Sequence, residues 1–134
     1  MPDSFRFLAH KTFRKNIEDF LKKHPTFTKS LFTNLEKARS NPFSGKPMHS
    51  LPKKLRQKVF RLWIGDANDF RFIYYVARQT LSVVGIYLTL EPRSKFSYDK
   101  SDWLGRLETI AVDLENENYN EFEILNTEEA VKKI

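Results

Sequence analysis

Residue types that can hold a phosphate group are concentrated in the middle and later part of this 134-residue sequence. Arginine forms paired hydrogen bonds with phosphate oxygens, lysine supplies a mobile positive charge, and aromatic rings stack on splayed bases. Their combination favours RNA as a ligand, although a solvated basic face over a core rich in aromatic residues would have the same composition. The residues concerned are Lys53, Lys54, Arg56, Lys58, Arg61, Arg71, Arg93, Lys95 and Tyr98.

The charge of the chain is divided unequally along its length. Residues 1–103 contain 20 Lys and Arg against 9 Asp and Glu, whereas residues 104–134 contain 3 against 8. The formal net charge of +6 is therefore the average of a body at +11 and a C-terminal segment at −5. A basic body of this kind indicates an anionic partner.

Several classes of chemistry are excluded by what the sequence lacks. It contains no Cys and only three widely spaced His, and no phosphate-binding glycine loop or HExxH motif is present. We therefore predict no metal and no cofactor. No signal peptide or apolar run of membrane-spanning length is found, so we expect a cytoplasmic protein that makes no contact with a membrane.

The elements that must position the cations follow from apolar spacing. A short apolar run at residues 5–9 predicts a strand. Spacings of three and four predict one amphipathic helix over about 11–23 and a second that begins near Phe27 and ends before Asn41. The segment 41–57, rich in proline and glycine, reads as an irregular connector.

Three β-branched and aromatic runs follow, at residues 58–64, 69–76 and 80–88, and predict an antiparallel meander. Alternation places Arg61 and Arg71 on one face of this sheet, away from the two helices. The third run is apolar on both faces, which indicates a central strand.

Beyond the meander, the alternation and capping signals are weaker. We interpret residues 109–114 and 121–125 as strands, and residues 128–133 as a short helix capped by Asn126 or Thr127. The predicted fold class is α+β, with two N-terminal helices packed on an antiparallel sheet and an acidic C-terminal strand-helix extension.

The order and the amino-acid sequences of these segments resemble those of the RelE/ParE superfamily of toxins from toxin-antitoxin pairs. The resemblance rests on two N-terminal helices, a proline and glycine loop, and the stretches KVFRLWIGDANDFRFIYYV, LSVVGIYL and PRSKFSY. It divides the chain into a toxin-like domain at residues 1–103 and an acidic extension at residues 104–134.

The resemblance implies a metal-independent, ribosome-dependent mRNA endonuclease, in which the ribose 2′-OH attacks the adjacent phosphate. The family's catalytic positions fall on Arg61, Arg71, Arg93 and Tyr98, while Lys58 and Lys95 support them, and Lys53, Lys54 and Arg56 belong to the RNA-binding set. Because a guanidinium is a poor general base, Lys58, Lys54, His49 and Glu91 are alternatives for that role.

The resemblance also implies a cognate antitoxin that forms a heteromeric complex with this chain. Two other functions remain open, a ParE-like inhibitor of DNA gyrase without ribonuclease activity and an inactive relative that binds nucleic acid or a partner. For the acidic extension, we consider a partial antitoxin in cis that folds along the basic face, and a peripheral extension that only completes the sheet or mediates dimerisation.

Overall fold

The structure is a computed structural model that describes residues 5–47, 58–64, 70–88 and 103–132. Its regular elements correspond closely to the apolar patterns of the N-terminal three-quarters of the chain. The strands are β1 (Arg6–His10), β2 (Lys46–Pro47), β3 (Val59–Ile64), β4 (Phe70–Ala77), β5 (Ser82–Leu88) and β6 (Phe122–Leu125). The helices are α1 (Lys11–Lys23), α2 (Thr28–Ser40), α3 (Trp103–Glu115) and α4 (Thr127–Lys132).

All six strands form one sheet in the order β2-β3-β4-β5-β1-β6. The meander β3-β4-β5 is antiparallel and β5 is central, as predicted. The sheet as a whole is mixed, because β1 pairs in parallel with β5, from Arg6 opposite Ser82 to Ala9 opposite Gly85. The expectation of an antiparallel sheet was wrong at this point, since alternation identifies a strand without identifying its neighbour. The fold class is α+β, with four helices on a mixed six-stranded sheet.

One face of the sheet is covered by α1 and α2, which form the predicted helical pair. Phe13 and Phe20 of α1 and Leu31 and Leu35 of α2 are fully buried in the main core against this face. Phe13 packs closely above Gly85 of β5, a position where a Cβ would overlap the Phe13 ring. The helices are therefore held by an aromatic core that needs a side-chain-free residue in the central strand.

The opposite face is packed by α3, where the sequence had suggested a strand at residues 109–114. Leu107 and Ile110 of α3 are buried in a second core with Ile73 and Ile86 of the sheet. The strand prediction was wrong because residues 107, 110 and 114 repeat at spacings of three and four, which is the helical period. The acidic extension is therefore a helix-strand-helix segment.

The remaining C-terminal elements complete the sheet and cover α2. Strand β6 pairs antiparallel with β1, from Phe7 opposite Leu125 to His10 opposite Phe122. Helix α4 is capped by Asn126, whose Oδ1 accepts a hydrogen bond from the backbone N–H of Glu129 at 3.0 Å. The predicted strand at 121–125 and the predicted final helix are confirmed.

Carboxylates of the acidic extension contact cations of the basic body. Ion pairs join Glu121 to Lys11 at 2.5 Å and Glu123 to Arg14 at 2.8 Å. The extension thus completes the sheet and also neutralises part of the N-terminal helix. None of the helices in the described ranges has the length and apolarity that a membrane span requires.

Candidate nucleic-acid interface

Arg61 of β3 and Arg71 of β4 lie on the same face of the sheet, as alternation predicted. In the β3-β4 ladder Arg61 is opposite Ile73 and Trp63 is opposite Arg71, so the two arginines are diagonal neighbours. Diagonal positions on adjacent strands are about 7–8 Å apart. We call these two residues the arginine pair. The two positive charges therefore start from neighbouring positions on one face of the sheet.

The two arginines differ in their exposure. Arg71 is 4% exposed, whereas Arg61 is partly exposed. Both side chains interact with neighbouring groups of the protein. A buried guanidinium cannot lose its proton at any ordinary pH, so Arg71 places a permanent positive charge beneath the face. Arg61 is the member of the pair that a ligand can reach directly.

Two tyrosines flank the arginine pair on the same face. A register shift in the β4-β5 ladder between Ile73 and Tyr74 places Tyr87 directly opposite Ile73. Tyr75 and Tyr87 are both partly exposed and pack at the edge of the second core. Burial raises the pKa of the Tyr75 phenol, and the nearby carboxylate of Glu115 raises it further. The Tyr75 hydroxyl therefore keeps its proton and is a hydrogen-bond donor at neutral pH.

Tyr74 belongs to the opposite face and has a structural function. Its hydroxyl donates to the carbonyl oxygen of Pro42 at 2.7 Å, and burial raises its pKa to about 12. This contact attaches the start of the connector to β4.

Lys58 lies one residue before β3 and is exposed. In the strand's alternation it falls on the side of Phe60 and Leu62, opposite Arg61. Among the predicted residues, the structure therefore brings together only Arg61 and Arg71 within its described ranges. The other candidates, which lie outside those ranges, are Lys53, Lys54, Arg56, Arg93, Lys95 and Tyr98, and the alternative bases His49 and Glu91 lie outside them too.

The exit of β5 is fixed by a buried asparagine that the sequence analysis did not identify. Nδ2 of Asn16 donates to the carbonyl oxygen of Leu88 at 2.8 Å, and the backbone N–H of Leu88 donates to Oδ1 of Asn16 at 2.5 Å. Asn16 is 8% exposed and lies on the inner face of α1. It sets the point from which the chain continues toward Arg93 and Tyr98. The sequence did contain a signal, because Asn16 is a polar residue among the regularly spaced apolar residues of α1.

The face that carries the arginine pair is only partly uncovered, contrary to the expectation that no helix packs on it. Helix α3 packs on this face over β5, and Arg106 in its first turn places its guanidinium 4.9 Å from the ring centroid of Tyr87. A cation stacked on an aromatic ring is a further contact for a base or a phosphate. Arg106 was missed because the predicted strand began at residue 109, and no regular element was predicted for the residues just before it, where α3 begins.

A metal centre is not evident in the described part of the chain, where no three His, Asp or Glu side chains converge. The chemistry that the described site offers is electrostatic. It comes from two guanidinium groups, two phenols and the stacked Arg106.

Comparison with known proteins gives one informative match. No protein-family model matches the sequence. No curated protein matches it either. Among solved structures, the chain is similar to the E. coli toxin RelE, determined in the free state as a double arginine-to-alanine mutant, with a TM-score of 0.55 and 14% identity. The match covers 78% of this chain and 99% of RelE. The resemblance seen in the sequence is confirmed at the level of architecture: the chain has a RelE-like fold.

Proposed function

We propose that this protein is the toxin of a toxin-antitoxin pair and acts as a metal-independent, ribosome-dependent mRNA endonuclease. The observation that carries the proposal is the arginine pair on one face of a RelE-like sheet. The partly exposed Tyr75 and Tyr87 on the same face add donors and stacking surfaces for RNA.

The proposed reaction is a transesterification within the RNA strand. The ribose 2′-oxygen loses its proton to a base and bonds to the adjacent phosphorus, the bond from phosphorus to the 5′-oxygen breaks, and that oxygen takes up a proton. The products are a 2′,3′-cyclic phosphate and a 5′-hydroxyl. Negative charge accumulates on the phosphorane, which Arg61 stabilises by direct contact and Arg71 stabilises by its buried charge.

The remaining catalytic positions in this proposal lie on the segment after β5. Arg93 and Tyr98 complete the site, and Lys95 supports them. The proton acceptor is one of Lys54, His49 and Glu91, because a guanidinium with a pKa above about 12 cannot act as a base at neutral pH. Lys58 is not among them, since the alternation of β3 places it on the face opposite Arg61. Lys53 and Arg56 contribute to binding of the RNA backbone.

The proposal includes a cognate antitoxin, mRNA on the ribosome as substrate, and a cytoplasmic location. Residues 1–103 form the toxin-like domain and residues 104–134 the extension. The ion pairs of Lys11 with Glu121 and of Arg14 with Glu123 join the two parts, which favours an extension that completes the sheet.

The test is expression of the full chain in a bacterial host, followed by mapping of mRNA ends. We expect growth arrest and cleaved mRNA with 2′,3′-cyclic phosphate ends for the natural sequence, and at least a hundredfold less cleavage for Arg61→Ala. Lys29→Ala, which removes an exposed charge on α2, is the matched control and should cleave normally.

Intact mRNA at growth arrest would contradict the nuclease proposal. Loss of DNA supercoiling by purified gyrase in the presence of the protein would then identify the gyrase inhibitor. Normal growth with intact mRNA would identify the inactive relative.

A further inference from the structure

We propose that a groove between α1 and α3 binds phosphate groups of the RNA strand beyond the nucleotides held at Arg61. This inference rests on the proposed function, because it assigns the path of the same RNA substrate. It concerns a surface separate from the arginine pair, built from the N-terminal turns of two helices.

The groove is open to solvent and is lined by Lys11, Thr12, Lys15 and Arg106. Three of these four side chains are cations. The fourth, the hydroxyl of Thr12, lies 3.0 Å from Nδ1 of His10. Lys11 and Lys15 are one turn apart on α1, so their ammonium groups lie on the same side of the helix. Three positive charges along one groove suit the phosphodiester backbone and recognise no base sequence.

The topology of the sheet explains why a groove occurs here. Strands β1 and β5 are parallel neighbours, and α1 leaves the end of β1 on one face of the sheet. Helix α3 packs on the other face, over β5. Adjacent parallel strands with helices on opposite faces leave a crevice at their carboxyl ends, which is where open α/β sheets bind phosphate-bearing ligands.

A row of residues connects this groove to the arginine pair. Across the sheet, Arg61 is opposite Ile73 and Ile73 is opposite Tyr87. With strands about 4.8 Å apart, the backbones of Arg61 and Tyr87 are separated by about 10 Å. The guanidinium of Arg106 lies 4.9 Å from the Tyr87 ring centroid and also lines the groove. A strand bound at Arg61 therefore reaches the groove within a few nucleotides.

Carboxylates compete with RNA for two of the cations, but only weakly. Lys11 pairs with Glu121 at 2.5 Å and Lys15 pairs with Asp19 at 3.4 Å. The two lysine side chains remain 66% and 67% exposed. Exposed ion pairs of this kind contribute little stability, so a phosphate group can take the place of either carboxylate.

The test measures binding of the full chain to single-stranded RNA whose 2′-hydroxyls are all methylated, which prevents cleavage. Fluorescence anisotropy is recorded over a range of salt concentrations with RNAs of about twelve and about three nucleotides. For the double variant Lys11→Ala, Lys15→Ala we expect about tenfold weaker binding of the longer RNA. The slope of log affinity against log salt should fall by about 1.4. Binding of the shorter RNA should be unchanged.

The matched control is Lys22→Ala, Lys23→Ala, which removes the same charge from the last turn of the same helix. It should weaken binding of the longer RNA less than threefold. Lys11→Ala removes the ion pair with Glu121, the residue before β6. A second groove variant, Lys15→Ala with Arg106→Ala, leaves that pair intact and should weaken binding of the longer RNA by the same factor.

Equal weakening by the groove and control variants would overturn the inference, as would equal weakening for both RNA lengths. Inorganic phosphate that displaces the longer RNA as fully as a competing RNA does would also overturn it, since the groove would then be a site for a free anion. None of these measurements depends on cleavage. Intact mRNA in cells would therefore contradict the nuclease proposal while RNA binding in the groove still stood.

Discussion

Nε2 of His10 lies 2.7 Å from Oδ2 of Asp113, a contact that joins the last residue of β1 to the last turn of α3. His10 is 1% exposed, and its Nδ1 accepts a hydrogen bond from the backbone N–H of Thr12 at the start of α1. With Nδ1 as acceptor, Nε2 carries the ring N–H and donates a hydrogen bond to the carboxylate of Asp113. One imidazole thus caps α1 and attaches α3 to the sheet.

This contact predicts an acid-dependent loss of stability. The hydrogen bond from His10, with a second one from Asn118, holds the pKa of Asp113 below its usual value. A carboxyl whose pKa is lower in the folded protein stabilises the fold above its unfolded pKa. That stabilisation is lost as the pH falls through the lowered value. Asp113→Asn should therefore reduce the free energy of unfolding at pH 7, with a smaller reduction at a pH below the lowered pKa of Asp113.

Urea denaturation followed by tryptophan fluorescence at several pH values checks this prediction. Glu108→Gln, which changes an exposed carboxylate on the same helix, is the control and should leave the pH profile unchanged. A constant difference between Asp113→Asn and the natural protein at every pH would show that the carboxylate charge is not responsible.

The close packing of Phe13 on Gly85 predicts a second, purely steric effect. A Cβ at Gly85 would overlap the Phe13 ring, which is fully buried and cannot move away freely. Gly85→Ala should lower the free energy of unfolding by about 1–3 kcal/mol. Combining it with Phe13→Leu, which removes the ring, should cost less than the sum of the two single changes.

Thermal or chemical denaturation of the four proteins in this cycle measures the coupling. Gly105→Ala is a matched control, because nothing lies within 4 Å of a Cβ at Gly105 in α3. There alanine should raise stability by up to about 1 kcal/mol, since it favours the helix. Additive costs in the Gly85 and Phe13 cycle would mean that the two residues do not compete for space.

The paired hydrogen bonds of Asn16 with Leu88 predict linked effects on stability and activity. Asn16→Ala removes both bonds and leaves two backbone groups of Leu88 buried without these partners, at a cost of about 2 kcal/mol. Because Leu88 ends β5, the change should also misplace the segment that carries Arg93 and Tyr98. We expect RNA cleavage to fall at least tenfold, even under conditions where the variant is fully folded.

The control for Asn16 is Asn34→Ala on α2, whose side-chain amide donates to the carbonyl oxygen of Ser30 in the same helix. Cleavage and circular dichroism measured together separate the two effects. Full activity in folded Asn16→Ala would show that the exit of β5 does not position the segment that carries Arg93 and Tyr98.

Much of the fold could be predicted from local patterns. The spacing of Phe13, Phe20, Leu31 and Leu35 indicated both N-terminal helices, and alternation placed Arg61 and Arg71 on one face. These predictions succeeded because the period of burial is a property of the local chain. The strand predicted at residues 109–114 was wrong because a short apolar run fits both the two-residue period of a strand and the 3.6-residue period of a helix.

The site was predicted in part. The arginine pair follows from alternation, whereas Tyr87 joins the same row only through the register shift next to Ile73. Arg106 and Asn16 acquire their positions from contacts between elements distant in sequence. Local periodicity contains no information on such contacts.

The sequence by itself determined the identity of most elements, the division between a basic body and an acidic extension, and the face on which the arginines lie. Only the tertiary structure decided that β1 runs parallel to β5, that α3 packs beside the arginine pair, and that His10 meets Asp113 across 103 positions of sequence. The physical reason is that side-chain period is encoded within a few residues. Strand partners and helix docking instead depend on which buried surfaces fit together once the whole chain has folded.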